Sequence, residues 1–302
     1  MQSGALYALV ALGLSLIFGT LGVVNFAHGA LYAIAAYAAV VISTNVGSFL
    51  LAIVVVPPIL FLVGIVLERG LIRYFYDRPH TDQILVTFGL ALVIEETLKW
   101  IFGANNVPFA LPEWGQGQTI FYSAIDKIPP VPIFQEAPQI WMPFIDGFIA
   151  YPTWRLLLVV VSLVTVLGLF ALLQFTRFGL VVRAGMRDPQ MLRFLGINIT
   201  QRFAIVFGIG AMIAGIAGVF GGPITQVAPT VAMELLVPSF LVVVIGGMGS
   251  MPGALIAAVL LGLCLSFSAE VSWLQQIIIY LVAVVVLLVR PRGLLGKKGV
   301  AE

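Results

Sequence analysis

The sequence has a single cysteine, Cys264, and two histidines, His28 and His80. An internal disulfide and a cysteine-rich metal site are thereby excluded, and no metal ligand set is assigned. Cys264 reads as a small apolar residue within a helix. Charge is also scarce: Asp, Glu, Lys and Arg make up 9% of the 302 residues, against about a quarter in a soluble domain. There is no run of five like charges and the formal net charge is +2, so nothing offers the basic surface a nucleic-acid partner requires. A G-x-x-x-x-G-K-S/T phosphate loop is missing, which excludes ATP hydrolysis by the usual P-loop chemistry in this chain. Neither H-E-x-x-H nor G-x-S-x-G occurs, and the two histidines fall in unrelated connections, so no catalytic residue is assigned. The G-x-G within Gly246 to Gly253 joins apolar segments instead of a strand and a helix, and a dinucleotide site is rejected.

What the chain does have is apolar length. Hydrophobic residues make up 61% of it and the mean hydropathy is +1.12. No soluble fold of this size hides that much apolar surface. Since a spanning helix needs ~20 mainly apolar residues, the chain reads as one polytopic all-α membrane domain over 1–302, with roughly eight or nine spans. The candidate runs are 4–18, 28–44, 49–67, 84–102, 152–174, 203–221, 235–246, 253–268 and 272–290. No Lys or Arg precedes the first run, which is read as a span and not as a cleaved signal. The seventh is too short to cross alone and ends in Gly246, Gly247, Gly249, Pro252 and Gly253, a break that predicts a re-entrant turn or a loop near one face.

Placement of charge orients the chain. Twelve of the fifteen basic residues fall in three places: Arg69, Arg73 and Arg78; Arg177, Arg183, Arg187, Arg193 and Arg202; and Arg290, Arg292, Lys297 and Lys298. The positive-inside rule makes all three cytoplasmic, with the amino terminus outside and the carboxyl terminus inside. The connection at about 103–150 then lies outside, carrying Glu113, Asp126, Glu136 and Asp146 against Lys127. Its many prolines and aromatics, among them Pro129, Pro130, Trp114 and Trp141, predict a stiff lid or hairpin at the interface, or a docking surface for a soluble partner.

The connection at about 176–200 is the richest in local signals. Asp188 suits an N-cap, Pro189 the first helical position and Gly196 a left-handed exit. Together they predict a two-turn helix outside the membrane. Met191 and Leu195 fall on one face, and Arg187 and Arg193 stay wet. Such a helix either rests on lipid or forms a knob for a cytoplasmic partner. Elsewhere, Asn25 and His28 bracket the interrupted stretch Gly19 to Gly29, and polar groups at membrane depth are candidate pathway residues. Glu95 and Lys99 predict a local ion pair, while Glu96 turns to another face and joins Asn25, His28 and Gly247 as a candidate pathway residue. Gly210, Ala214, Gly218 and Gly222, like Ala254, Ala258 and Gly262, form small-residue stripes suited to close helix packing.

Asn25-Phe26-Ala27-His28-Gly29, the run from Arg183-Ala184 through Asp188-Pro189 to Leu195-Gly196-Ile197-Asn198, Gly246-Gly247-Met248-Gly249-Ser250 and Arg290-Pro291-Arg292-Gly293-Leu294-Leu295-Gly296 resemble the branched-chain amino acid ABC importer permeases, specifically the smaller of their two permease types. The resemblance covers the chain from near residue 4 to the tail. Two departures stand out: Leu192 replaces an expected small residue, and the 103–150 insertion exceeds what a minimal member needs. The resemblance implies a bacterial inner-membrane complex of this chain, a second homologous permease, two cytoplasmic ATPases that use the ATP, and a periplasmic binding protein. On that resemblance this chain is expected to bind no cofactor of its own. It also implies that Arg183, Arg187, Asp188, Pro189, Met191, Arg193, Leu195 and Gly196 contact the ATPase, and that branched-chain or related aliphatic amino acids are carried. A self-sufficient secondary transporter is the rival from another class, and a permease for urea or short-chain amides the rival within this one.

Overall fold

A computed structural model of the chain describes residues 2–123, 138–142, 148–187, 189–268 and 271–296. Its helices are α1 (Gln2–Leu21), α2 (His28–Val46), α3 (Phe49–Gly70), α4 (His80–Phe102), α5 (Thr153–Phe175), α6 (Arg177–Arg187), α7 (Pro189–Phe194), α8 (Ile199–Thr225), α9 (Val231–Gly246), α10 (Met251–Phe267) and α11 (Ser272–Val289). Each of the nine apolar runs is helical. By length and composition, α1, α2, α3, α5 and α8 can each cross a membrane, and a sixth span is added if the bent pair α9 and α10 counts as one. Among the described residues, five or six of the expected eight or nine spans meet that measure; α4, 23 residues long, falls outside it because it bears Asp82, Glu95, Glu96 and Lys99.

Helix α8 is the centre of the bundle, packed against α1, α2 and α3. Its small residues make this possible. A Cβ at Gly208 would stand 2.9 Å from the Phe61 carbonyl oxygen of α3, and one at Gly218 would stand 2.5 Å from the Tyr32 carbonyl oxygen of α2. Gly210, Ala214, Gly218 and Gly222 are all buried. In the second stripe, a Cβ at Gly4 of α1 would stand 2.8 Å from both the Ala258 oxygen and the Gly262 Cα of α10. Lipid supplies no hydrophobic drive between helices, so backbone approach of this kind carries the packing.

Two breaks interrupt the bundle. After α1 the chain folds back, so that the His28 ring lies where a Cβ on Gly13 would meet it at 2.6 Å. Gly13 is near the middle of α1, and α2 therefore starts at mid-depth. The broken backbone is covered by α4: the Val24 amide donates to Gln83 Oε1 at 3.3 Å and the Phe26 amide to Thr87 Oγ1 at 3.0 Å. The second break is an elbow at 247–250, where the path from α9 into α10 bends by 120°. Ser250 caps α10 by accepting from the Gly253 amide at 3.2 Å, and a Cβ at Gly249 would stand 3.1 Å from Gly19 Cα of α1.

These contacts gather the basic connections at one end of the bundle. The end of α1, a 3-10 turn at Ile72–Phe75, helices α6 and α7, the elbow and the 290–296 tail all lie there. Lys297 and Lys298 lie outside the described residues. At the opposite end, the insertion adds a small sheet to the all-α spanning part. Strand β1 (Gln118–Tyr122) lies between β2 (Gln139–Trp141), parallel to it, and β3 (Phe148–Pro152), antiparallel. The β-branched and aromatic run Thr119 to Tyr122 favours this extended form. Asp126, Lys127, Glu136 and Asp146 lie outside the described residues.

Candidate functional site

The element between α5 and α8 is two helices, not one, because 177–187 is helical ahead of the expected short helix. Pro189 opens α7, as expected for a first helical position, while Asp188 and the side chains of Arg187 and Pro189 lie outside the described residues. The exit follows the sequence reading. Gly196 has φ +75°, the Ile197 amide donates to Leu192 O at 3.0 Å and the Gly196 amide to Arg193 O at 3.0 Å, the two bonds of a Schellman cap. Asn198 then caps α8 by accepting from the Gln201 amide at 3.1 Å.

One residue seats this element. Leu192 is 7% exposed and fills the space beside Gly185, whose Cβ would stand 3.4 Å from Leu192 Cδ1 and 2.4 Å from Ile199 Cδ1. Burying a leucine contributes about 2 kcal/mol. The departure from a small residue is thus a wedge between α6, α7 and the start of α8. On the other side Met186, Met191, Phe194 and Leu195 are exposed, Phe194 at 88%. Arg193 is exposed as well. Arg183 is exposed, and its Nη1 turns back to donate to the Leu173 carbonyl and to Gln174 Oε1. It ties α6 to the last turn of α5, where free carbonyls attract a cation.

Behind the two helices is a cavity of about 910 Å³, walled by Phe18 to Gly22, by Tyr76 and Asp77, and by Gly185, Gln190 and Arg193. Tyr76 donates to Glu68 Oε1 at 2.6 Å. Burial, helped by that bond and by the carboxylate's charge, holds the Tyr76 hydroxyl well above the usual tyrosine range.

The candidate pathway residues do not converge. Asn25 and His28 are buried together at the first break, and Asn25 Oδ1 accepts from the Ala27 amide at 3.0 Å. Ser239 is also fully buried, on the face of α9 whose Ala232 and Leu236 meet Gly29. Glu95 pairs with Lys99 at 2.9 Å, as expected. Glu96 pairs with the same lysine at 2.7 Å but points out of the chain. Gly247 lies at the elbow: its φ is +102° and a Cβ there would stand 2.4 Å from the Gly296 nitrogen. The tail docks beside it through Leu294 N to Ile245 O at 2.7 Å and Leu295 N to Gly246 O at 3.0 Å. Gln83 and Thr87 were missed by the sequence reading. Their signal was the polar spacing 83, 87, 95 along an apolar helix.

Comparison with known proteins gives one consistent result. The sequence model of the family described as branched-chain amino acid transport system / permease component matches residues 1–287. The high-affinity branched-chain amino acid transport system permease protein LivH of Escherichia coli K12 is 27% identical over 311 residues, covering 99% of this chain and 94% of LivH. The permease protein BraD of Pseudomonas aeruginosa is 27% identical over 316 residues, with the same coverage of 99% and 94%. The probable LivH of Methanocaldococcus jannaschii is 24% identical over 303 residues, covering 96% of this chain and 89% of that one. No solved structure matches. The match over nearly the whole length, on a multi-pass bundle whose glycines sit at its helix contacts, places this chain in the family of permease components of branched-chain amino acid transport systems.

Proposed function

We propose that the chain is the transmembrane permease subunit of an ATP-driven, binding-protein-dependent importer of branched-chain or related aliphatic amino acids. The observation that carries this reading is the knob of α6 and α7: an apolar tip of Met186, Met191, Phe194 and Leu195 on the basic end of a membrane bundle. An isolated tip of that kind fits a groove in a soluble partner. The partners are two cytoplasmic ATPases at this end, a second homologous permease beside it, and a periplasmic binding protein at the end that carries the sheet. The membrane is the bacterial inner membrane, with the basic end cytoplasmic. The similarity to LivH and BraD, permease proteins of branched-chain amino acid transport systems, supports the amino acid substrate.

Uptake of labelled leucine and urea in a strain lacking this chain tests the substrate. Loss of leucine uptake is expected. Unchanged leucine uptake, with no redundant system, would exclude it, and loss of urea uptake alone would move the reading to amides. Reconstitution of the purified chain by itself tests the energy source, since accumulation driven by an ion gradient without ATPases would make it a secondary transporter.

A further inference from the structure

Helix α4 presents two opposed faces. Gln83, Thr87, Ala91, Glu95 and Leu98 are buried against the chain's own bundle. Leu85, Leu92, Val93, Glu96 and Trp100 face outward and are exposed. Leu92, Val93, Glu96, Thr97 and Trp100 line a shallow hollow of about 460 Å³. At Gly89, nothing lies within 4 Å of where a Cβ would be, which leaves room for a helix of another chain.

Depth decides what this outer face can meet. Thr87 bonds the amide of Phe26, two residues before His28 at mid-bundle. Glu96 is nine residues further along α4, at most about 14 Å, inside the roughly 15 Å half-thickness of the hydrocarbon layer. Its side chain is 69% exposed. Lipid does not accept a carboxylate at that depth, and ionisable groups there face protein or water. Lys99 serves both Glu95 and Glu96, and one lysine against two carboxylates leaves one negative charge.

We propose that this outer face of α4 is a wall of a water-lined seam between this chain and the second permease, and that Glu96 binds the ammonium group of the amino acid passing along it. Leu92, Val93 and Trp100 then receive the aliphatic side chain. This inference rests on the importer reading given above.

The test uses the importer assembled from this chain with its second permease and ATPases in vesicles, on a Cys264→Ala background. Glu96→Cys and Val93→Cys are treated with a charged, membrane-impermeant methanethiosulfonate, with Leu163→Cys on α5 for comparison. The thiols at 93 and 96 react faster, by about tenfold or more, and leucine slows them. Separately, Glu96→Gln lowers leucine uptake by about tenfold and Glu96→Asp restores most of it, with ATPase association unchanged. Reaction no faster than at position 163, whether lipid or a partner's basic side chain covers the face, overturns the seam. Full uptake by Glu96→Gln overturns the ammonium contact. If the unsubstituted importer carries no leucine, the functional reading fails, while the thiol reactivity still judges the seam.

Discussion

Replacing Gly196 by valine is the sharpest probe of the α6 and α7 knob. The residue sits at φ +75°, where an L side chain costs about 1–2 kcal/mol and a β-branched one stands at the upper end of that range. Against this, α7 has six residues and is held by the burial of Leu192, about 2 kcal/mol, and by two cap bonds of roughly 1 kcal/mol each. The penalty is therefore about half of what seats the element. A shift of about 2 kcal/mol changes the seated population by some thirtyfold. The multi-span bundle keeps its own packing, so the variant inserts at normal levels on an immunoblot. In the assembled importer, co-purification of the ATPases, substrate-stimulated ATP hydrolysis and leucine uptake fall together. Gly196→Ala falls between. Full ATPase association and full uptake by Gly196→Val would reduce the segment to a surface connector.

Gly247→Ala drives a methyl into the tail at Gly296, so limited proteolysis should cut the tail faster, and an unchanged digestion pattern would contradict the docking. Trp154→Phe removes the indole bond to the Phe220 carbonyl, 3.0 Å long. That costs ~1 kcal/mol and lowers the melting temperature; an unaltered melt would show the bond contributes nothing. Tyr76 keeps its proton in the folded state while the unfolded chain releases it near 10.0. Stability therefore falls as pH rises past that value, and Tyr76→Phe should flatten the decline measured by thermal unfolding at alkaline pH. A thiol introduced by Lys298→Cys should react only from the cytoplasmic side, and labelling in intact cells from outside would reverse the orientation.

Nine of the eleven α-helices among the described residues were legible because each is an apolar run that needs no tertiary context. Gly196 was legible too, since a glycine just past Leu195 suits a left-handed helix exit, and its φ is +75°. The start of α2 at mid-depth was not, because its level is set by His28 meeting Gly13, a contact between separate helices. The sheet escaped for a related reason: Thr119 to Tyr122 is a short β-type run hidden among prolines. The bonds of Arg183 to the end of α5 were not legible, since a long side chain follows whichever free carbonyls it reaches. Gly247 marked a special backbone, but sequence alone could not say that Gly296 presses against it.

The covering of the first break by α4 has a mechanical consequence. The amides of Val24 and Phe26 depend on Gln83 and Thr87 for their partners, and within a membrane an unpaired amide is too costly to leave open. Helix α4 therefore cannot slide or swing away as a whole without uncovering them. Its permitted motion is a tilt about Thr87 as a fulcrum, a lever with its short arm at His80 beside the basic end and its long arm carrying Glu96.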